Sequence, residues 1–274
     1  MKAARFDYVR PGDVAEALAA LAKAEGAKIL AGGQSLGPML NLRLARPALL
    51  VDISRLKALQ QMEDTGRTWH IGAGVTHARL EDARGRLSGS EMLCEVAAAI
   101  AYRSVRNRGT IGGSLAHADP AADWPLALAA LGASVNIRGP TPRSIRVAHF
   151  IQGAFTTTLA ANEIIESIVI PKLSRAGRYG FYKFCRKTGE FAEASAAAVF
   201  DPESGVANIF LGALRGTPQS LASLAQQVAK HGGSAASTEF INQALAQSVG
   251  DLDAVERSMA AAAVTRALTQ VLAS

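Results

Sequence analysis

Cysteine is almost missing from this sequence. Its 274 residues hold two, Cys94 and Cys185, far apart, with no Cys-x-x-Cys pair and no histidine at ligand spacing beside either. That argues against a zinc site and a disulfide framework. Aromatic residues are scarce at 5%, and only 19% of side chains are charged. A nucleic-acid binder gathers basic residues into a stripe interleaved with aromatics; here a net charge of +6 is spread thinly, and Arg103, Arg106 and Arg108 are its densest basic cluster. No nucleic-acid partner is expected. No apolar run is long enough to span a bilayer, and the start, Met1-Lys2-Ala3-Ala4-Arg5-Phe6-Asp7, meets charge too early for a secretory leader. These absences lead to the expectation of a cytoplasmic protein without a transmembrane segment.

What is present is a chain with 49% apolar residues, ample for a real core. Asp13 with Glu16 opens a helix that Gly26 ends, and Lys28 to Ala31 reads as a buried strand running into Gly32-Gly33. Further strands are expected at Ala48 to Ile53, Thr68 to Ile71, Glu163 to Ile170 and Gly205 to Leu214. Val135 with Ile137 and Ile145 with Val147 flank Gly139-Pro140-Thr141-Pro142 as a hairpin. Helices are expected at Ala78 to Arg84, Glu91 to Ala101 and Leu126 to Leu131, the last opened by Pro125. From Thr217 the composition shifts to Ala, Leu, Ser and Gln. Thr217 with Pro218 starts a helix there, followed by helices at Phe240 to Ser248 and Leu252 to Leu272. The class is mixed α and β, with boundaries near Leu56 and Pro171.

The most informative feature is a pair of similar glycine turns, Ala31-Gly32-Gly33-Gln34-Ser35-Leu36 and Thr110-Ile111-Gly112-Gly113-Ser114. Consecutive backbone N–H groups in such a turn form a concave nest for phosphate oxygens, and glycine lets the backbone approach closely. Two turns with matching flanks suit the two phosphates of a dinucleotide. Gly72-Ala73-Gly74-Val75-Thr76-His77 starts like a Rossmann fingerprint but has His77 at the third glycine and no long helix directly after it. Gly33-Gln34-Ser35-Leu36-Gly37 matches the G-x-S-x-G nucleophile elbow, which keeps a serine hydrolase using Ser35 as an alternative, although few residues precede it.

The stretch from Ala31 through Pro38-Met39-Leu40-Asn41-Leu42-Arg43-Leu44-Ala45-Arg46-Pro47 resembles the first flavin motif of the medium subunit of molybdenum hydroxylases, the xanthine dehydrogenase and aerobic carbon monoxide dehydrogenase family. Arg106-Asn107-Arg108-Gly109-Thr110-Ile111-Gly112-Gly113-Ser114 through Asp123-Trp124-Pro125 resembles the second. Weaker echoes lie in 150–171 and in Tyr182 to Ala192. The resemblance implies an α+β chain: a two-subdomain FAD-binding fold of vanillyl-alcohol-oxidase (PCMH) type over 1–55 and 56–171, and a small α/β C-terminal domain over 172–274. It implies FAD held at its pyrophosphate by Ala31, Gly32, Gly33, Gln34, Ser35 and Leu36 and by Thr110, Ile111, Gly112, Gly113 and Ser114. Asp123 aligns with an acid on the ribityl chain, Leu159 with an apolar residue beside the cofactor, Lys183 with a base near the isoalloxazine, and Phe191 with a side chain covering one flavin face. It further implies an electron-transfer subunit partnered by a small [2Fe–2S] subunit and a large molybdenum-pterin subunit in a dimer of heterotrimers. A non-redox scaffold of the same fold is a second alternative.

Each of these side chains also has an ordinary reading: Asp123 as the N-cap of the helix opened by Pro125, Lys183 as a solvated strand residue, Phe191 as core. By the same logic His77 and His117 are polar packing residues, and the three arginines form a solvated basic face.

Overall fold

The computed structural model describes residues 2–214 and 216–273. The first unit comprises β1 (Asp7–Val9), α1 (Val14–Lys23), β2 (Lys28–Leu30), α2 (Leu36–Asn41) and β3 (Leu49–Asp52). Its strands form a parallel sheet in the order β1-β3-β2. The central strand, Leu-Leu-Val-Asp, is the most buried, as parallel strands covered on both faces are. The Asp13 carboxylate accepts the Glu16 amide at 2.8 Å to begin α1, whose Ala17 and Leu21 pack with Val51 and Ile53.

The second unit contains β4 (Met62–Asp64), β5 (Thr68–Gly72), α3 (His77–Glu81), α4 (Met92–Ala99), α5 (Arg103–Arg106), α6 (Ile111–His117), α7 (Asp123–Ala130), β6 (Ser134–Arg138), β7 (Arg143–Arg146), α8 (Val147–Phe150), the short pair β8 (Ile151–Gly153) and β9 (Thr156–Thr157), and β10 (Ile164–Pro171). Its five-stranded antiparallel sheet runs β4-β5-β10-β6-β7. Ile71, Ile168, Ile170, Val135 and Ile137 turn from it onto a core shared with α4 and α7. All eight residues of α7 are buried, Asp123 among them.

The third unit is the sheet β11 (Arg178–Phe184), β12 (Ala194–Asp201), β13 (Val206–Gly212) and β14 (Gln219–Ser220), with α9 (Ala222–His231), α10 (Thr238–Ser248) and α11 (Ala254–Leu272). β12 is covered on both faces. Ala197 and Val199 join the core around Trp124, while Ala194, Ala196 and Ala198 join that of Val264 and Leu268. Small side chains let α7 and α11 approach it from opposite sides. Gly180 shows how close α11 comes: a Cβ there would collide with the Ala267 carbonyl.

Several elements depart from the sequence reading. The Thr217-Pro218 start is wrong: these residues precede the two-residue β14, and the helix begins at Ala222 with Leu221 at its N-cap. Gln219 explains the Thr217 position, since its amide donates to the Thr217 carbonyl and hydroxyl at 2.9 and 2.8 Å. Val147 is not a hairpin residue but opens α8, fully buried. The second glycine turn is itself helical, the opening of α6.

Candidate functional site

The sequence folds the two glycine segments so that they touch. A Cβ built on Gly32 would collide with the Arg108 carbonyl oxygen and lie 2.9 Å from Gly109 Cα, so only glycine permits this backbone-on-backbone approach. Beyond it, Gly33 has φ of +72°, which reverses the chain before α2. Among the described residues, the amides of Gly32, Gly33, Gln34 and Ser35 donate no hydrogen bond within the chain. Four successive uncommitted N–H groups around a left-handed glycine form a nest suited to an anion.

The second segment is built differently. Its amides are engaged: Ile111 to the Val75 carbonyl at 3.1 Å, Gly112 to Ala73 at 3.0 Å, Gly113 to the Thr110 hydroxyl at 3.0 Å, and Ser114 to the Thr110 carbonyl at 3.0 Å. Its glycines serve close packing. A Cβ on Gly112 would meet the Ala73 carbonyl at 2.7 Å, and one on Gly109 would meet His77 Nε2 at 2.8 Å. Thr76 and Thr110 form an isolated bridge, and the His77 amide donates to the Gly109 carbonyl at 2.9 Å. The Gly72 to His77 stretch, set aside as a dinucleotide fingerprint, is the wall that holds this second segment.

Asp123 is the first residue of α7, with Ala122 at the N-cap, so the N-cap reading fails. Lys183 reaches it from β11: its ammonium donates to Asp123 Oδ2 at 2.9 Å, with side-chain exposures of 9% and 5%. That is not a solvated strand residue. Burial pushes the Asp123 carboxyl up to about 6 even against the opposing charge of Lys183. Asp123 Oδ1 is buried and accepts no hydrogen bond.

Leu159 is half-buried against the core that contains Trp124. Its loop is pinned by Arg143, which donates to both Glu163 carboxylate oxygens and to the Thr158 carbonyl. Phe191 is 66% exposed, which overturns its reading as core. The neighbouring Gly189 lies against Ala101, where a Cβ would meet the carbonyl at 3.0 Å. His77 is buried and accepts the Trp124 indole N–H on Nδ1 at 3.1 Å, in keeping with polar packing. The basic-face reading fails for Arg106, which pairs with Glu81 and is only 12% exposed, whereas Arg103 pairs with the same carboxylate but stays 46% exposed. No sequence signal marks the partnership, because Glu81 lies on a separate short helix. Ser35 is exposed and, among the described residues, no histidine or carboxylate is hydrogen-bonded to its hydroxyl, so no nucleophile is assembled there.

Residues 4–173 match the family described as the FAD binding domain in molybdopterin dehydrogenase. The chain belongs to that family. It is 41% identical over 201 residues to the 6-hydroxypseudooxynicotine dehydrogenase complex subunit alpha of Paenarthrobacter nicotinovorans, covering 73% of this chain and 68% of that one. It is 38% identical over 197 residues to the carbon monoxide dehydrogenase medium chain of Hydrogenophaga pseudoflava, covering 71% and 69%. Among solved structures, reconstituted CO dehydrogenase from Oligotropha carboxidovorans superposes with a TM-score of 0.90 at 30% identity, covering all of this chain and 99% of that one. Quinoline 2-oxidoreductase from Pseudomonas putida 86 gives 0.88 at 30% identity, with the same coverage. The chain is thus an FAD-binding medium subunit of the molybdenum-dependent dehydrogenase class. The residues fit FAD on independent grounds: a nest of free amides beside a close-packed glycine helix, and a buried carboxylate oxygen left without a donor.

Proposed function

We propose that this chain is the electron-transfer subunit of a heteromeric molybdenum hydroxylase, in which a large molybdenum-pterin subunit oxidises substrate and a small [2Fe–2S] subunit delivers electrons to the flavin for an external acceptor. FAD, when bound, supplies the redox centre, since flavins exchange electrons singly or in pairs. The protein's work is to hold and orient it. In this reading the amides of Gly32, Gly33, Gln34 and Ser35 bind the pyrophosphate, with Ala31 and Leu36 fixing the ends of the nest. Thr110, Ile111, Gly112, Gly113 and Ser114 form its opposite wall, Ser114 through its hydroxyl. Asp123 Oδ1 accepts a ribityl hydroxyl while Lys183 holds the carboxylate in place. Leu159 and Phe191 contribute apolar surface beside the rings. We assign 1–55 and 56–171 as the two FAD-binding subdomains and 172–274 as the C-terminal domain, in a dimer of heterotrimers.

The observation that supports this reading most is the contact of Gly32 with Arg108 and Gly109, which brings the free amides of the first segment against the loop that leads into the glycine helix α6. The chain's two cysteines, one of them buried, support the assignment of the iron–sulfur clusters to a separate subunit. The test is anaerobic addition of substrate to the purified complex. Bleaching of the flavin band after reduction of the iron–sulfur absorbance supports an electron carrier. A complex with stoichiometric FAD that never bleaches indicates a scaffold, and one without flavin absorbance overturns the reading.

A further inference from the structure

We propose that Arg106 is a positioning residue that sets the gap between the two glycine segments, acting through a clamp on Glu81 and on the backbone of Ile100 and Ala101. The proposal rests on the reading that these segments hold FAD. The guanidinium uses both of its edges. Nε and Nη2 donate to the two Glu81 carboxylate oxygens at 2.8 and 3.0 Å. Nη1 donates to the Ile100 and Ala101 carbonyls at 2.9 and 2.8 Å. Ala101 has φ of +41°, a bend that disfavours any side chain and needs such a tether.

Each tethered segment leads to a different part of the site. Glu81 closes α3, whose first residue, His77, donates its amide to the Gly109 carbonyl. Ala99, Ile100 and Ala101 run beside Lys183 and Gly189: the Lys183 ammonium is 3.5 Å from the Ala99 carbonyl, and Gly189 packs on Ala101. Two residues beyond Arg106 lies the Arg108 carbonyl on which Gly32 rests. The fork therefore ties α3 to the bend near Lys183 and, through its own backbone, to the contact between the segments. Lysine cannot replace it, because a compact ammonium lacks the two-edged planar donor set. Arg103 is the natural control. It pairs with Glu81 and Asp82 at 2.7 and 2.6 Å but is 46% exposed and bonds neither bend carbonyl.

The experiment compares the full-length chain loaded with FAD in four forms: wild type, Arg106→Lys, Glu81→Gln and Arg103→Ala. FAD release is followed by the rise in flavin fluorescence after dilution. Loss of one charge-assisted hydrogen-bond set corresponds to release about tenfold faster for Arg106→Lys and for Glu81→Gln, with Arg103→Ala within about twofold of wild type. A residue that only stabilises the fold would lower the melting temperature and leave release from folded protein at the wild-type rate; that result overturns the proposal. So does equal acceleration by Arg103→Ala, which would assign the effect to charge alone. If Arg106→Lys does not accumulate as folded protein, Glu81→Gln decides. Failure of the wild type to bind FAD would refute the cofactor site itself, an outcome distinct from wild-type-like variants.

Discussion

Asp123 and Lys183, sixty positions apart, meet at 2.9 Å with almost no solvent around either. The carboxyl opens α7 of the second unit and the ammonium comes from β11 of the third, so the pair joins two units. Breaking a buried pair by removing one partner leaves a stranded charge, commonly costing 3–5 kcal/mol.

The cost depends on pH in a direction that can be derived. The Asp123 carboxyl is raised to about 6, so its contribution to stability is fully present below the unfolded value and is lost as pH rises through about 6. Lys183→Met removes the influence that holds this value down and carries the loss to higher pH. Denaturant unfolding is expected to show a destabilisation of about 3 kcal/mol near pH 8 and a clearly smaller one near pH 5. A loss of equal size at both would contradict the assignment.

Gly32 and Gly37 make a matched pair for substitution. Alanine at 32 drives a methyl into the Arg108 carbonyl and Gly109 Cα, both backbone, so the two segments must part. Alanine at 37 meets nothing within 4 Å and lies within α2. Gly32→Ala is expected to abolish FAD retention on gel filtration. Gly37→Ala is expected to retain it and to gain up to about 1 kcal/mol from helix propensity.

His77 has the opposite pH signature from Asp123. Burial, reinforced by the charge of Arg106, lowers its pKa to about 4. Its contribution is present above about 6.5 and lost as pH falls toward 4, because the unfolded chain takes up the proton first. Relative to His77→Gln, the wild type should lose about 3 kcal/mol between pH 7 and pH 4. Trp124 emission reports the same event, since its indole N–H bonds the unprotonated Nδ1. A histidine titrating near 6.5 by NMR would refute this.

Much of the site was legible because its devices are local. Gly32-Gly33 and Gly112-Gly113 announce close approach within a few residues, and helix starts such as Asp13 follow from side chains adjacent in sequence. What was missed is long-range. Arg106 looks like a surface arginine until α3 brings Glu81 to it, and Lys183 looks solvated until α7 brings Asp123. β12 illustrates the fold-level counterpart. Ala194-Ser195-Ala196-Ala197-Ala198 carries a helix former's composition, and only packing between α7 and α11 makes it a central strand. The second glycine turn misled in another way, for its geometry is that of a helix start whose Thr110 hydroxyl takes the Gly113 amide.

The two segments also predict different responses to side-chain loss. In the first, the free N–H groups are backbone amides, and Ser35 is exposed with no capping bond to α2. Ser35→Ala therefore removes no group that orders the nest and should change FAD affinity by less than about threefold. Gly33→Ala keeps every amide but forces a Cβ into the φ +72° conformation, 3.2 Å from the Leu30 methyl. A non-glycine residue in that region costs roughly 1–2 kcal/mol, so affinity should fall about tenfold or more. Thr110→Ala acts from the other side: it frees the Gly113 amide and removes the cap of α6, with an expected loss of about 1 kcal/mol in stability. Fluorescence titration of FAD into the three variants, paired with thermal melts, separates these effects. A Ser35→Ala chain that binds as poorly as Gly33→Ala would show that the hydroxyl, rather than the backbone nest, carries the first segment's affinity.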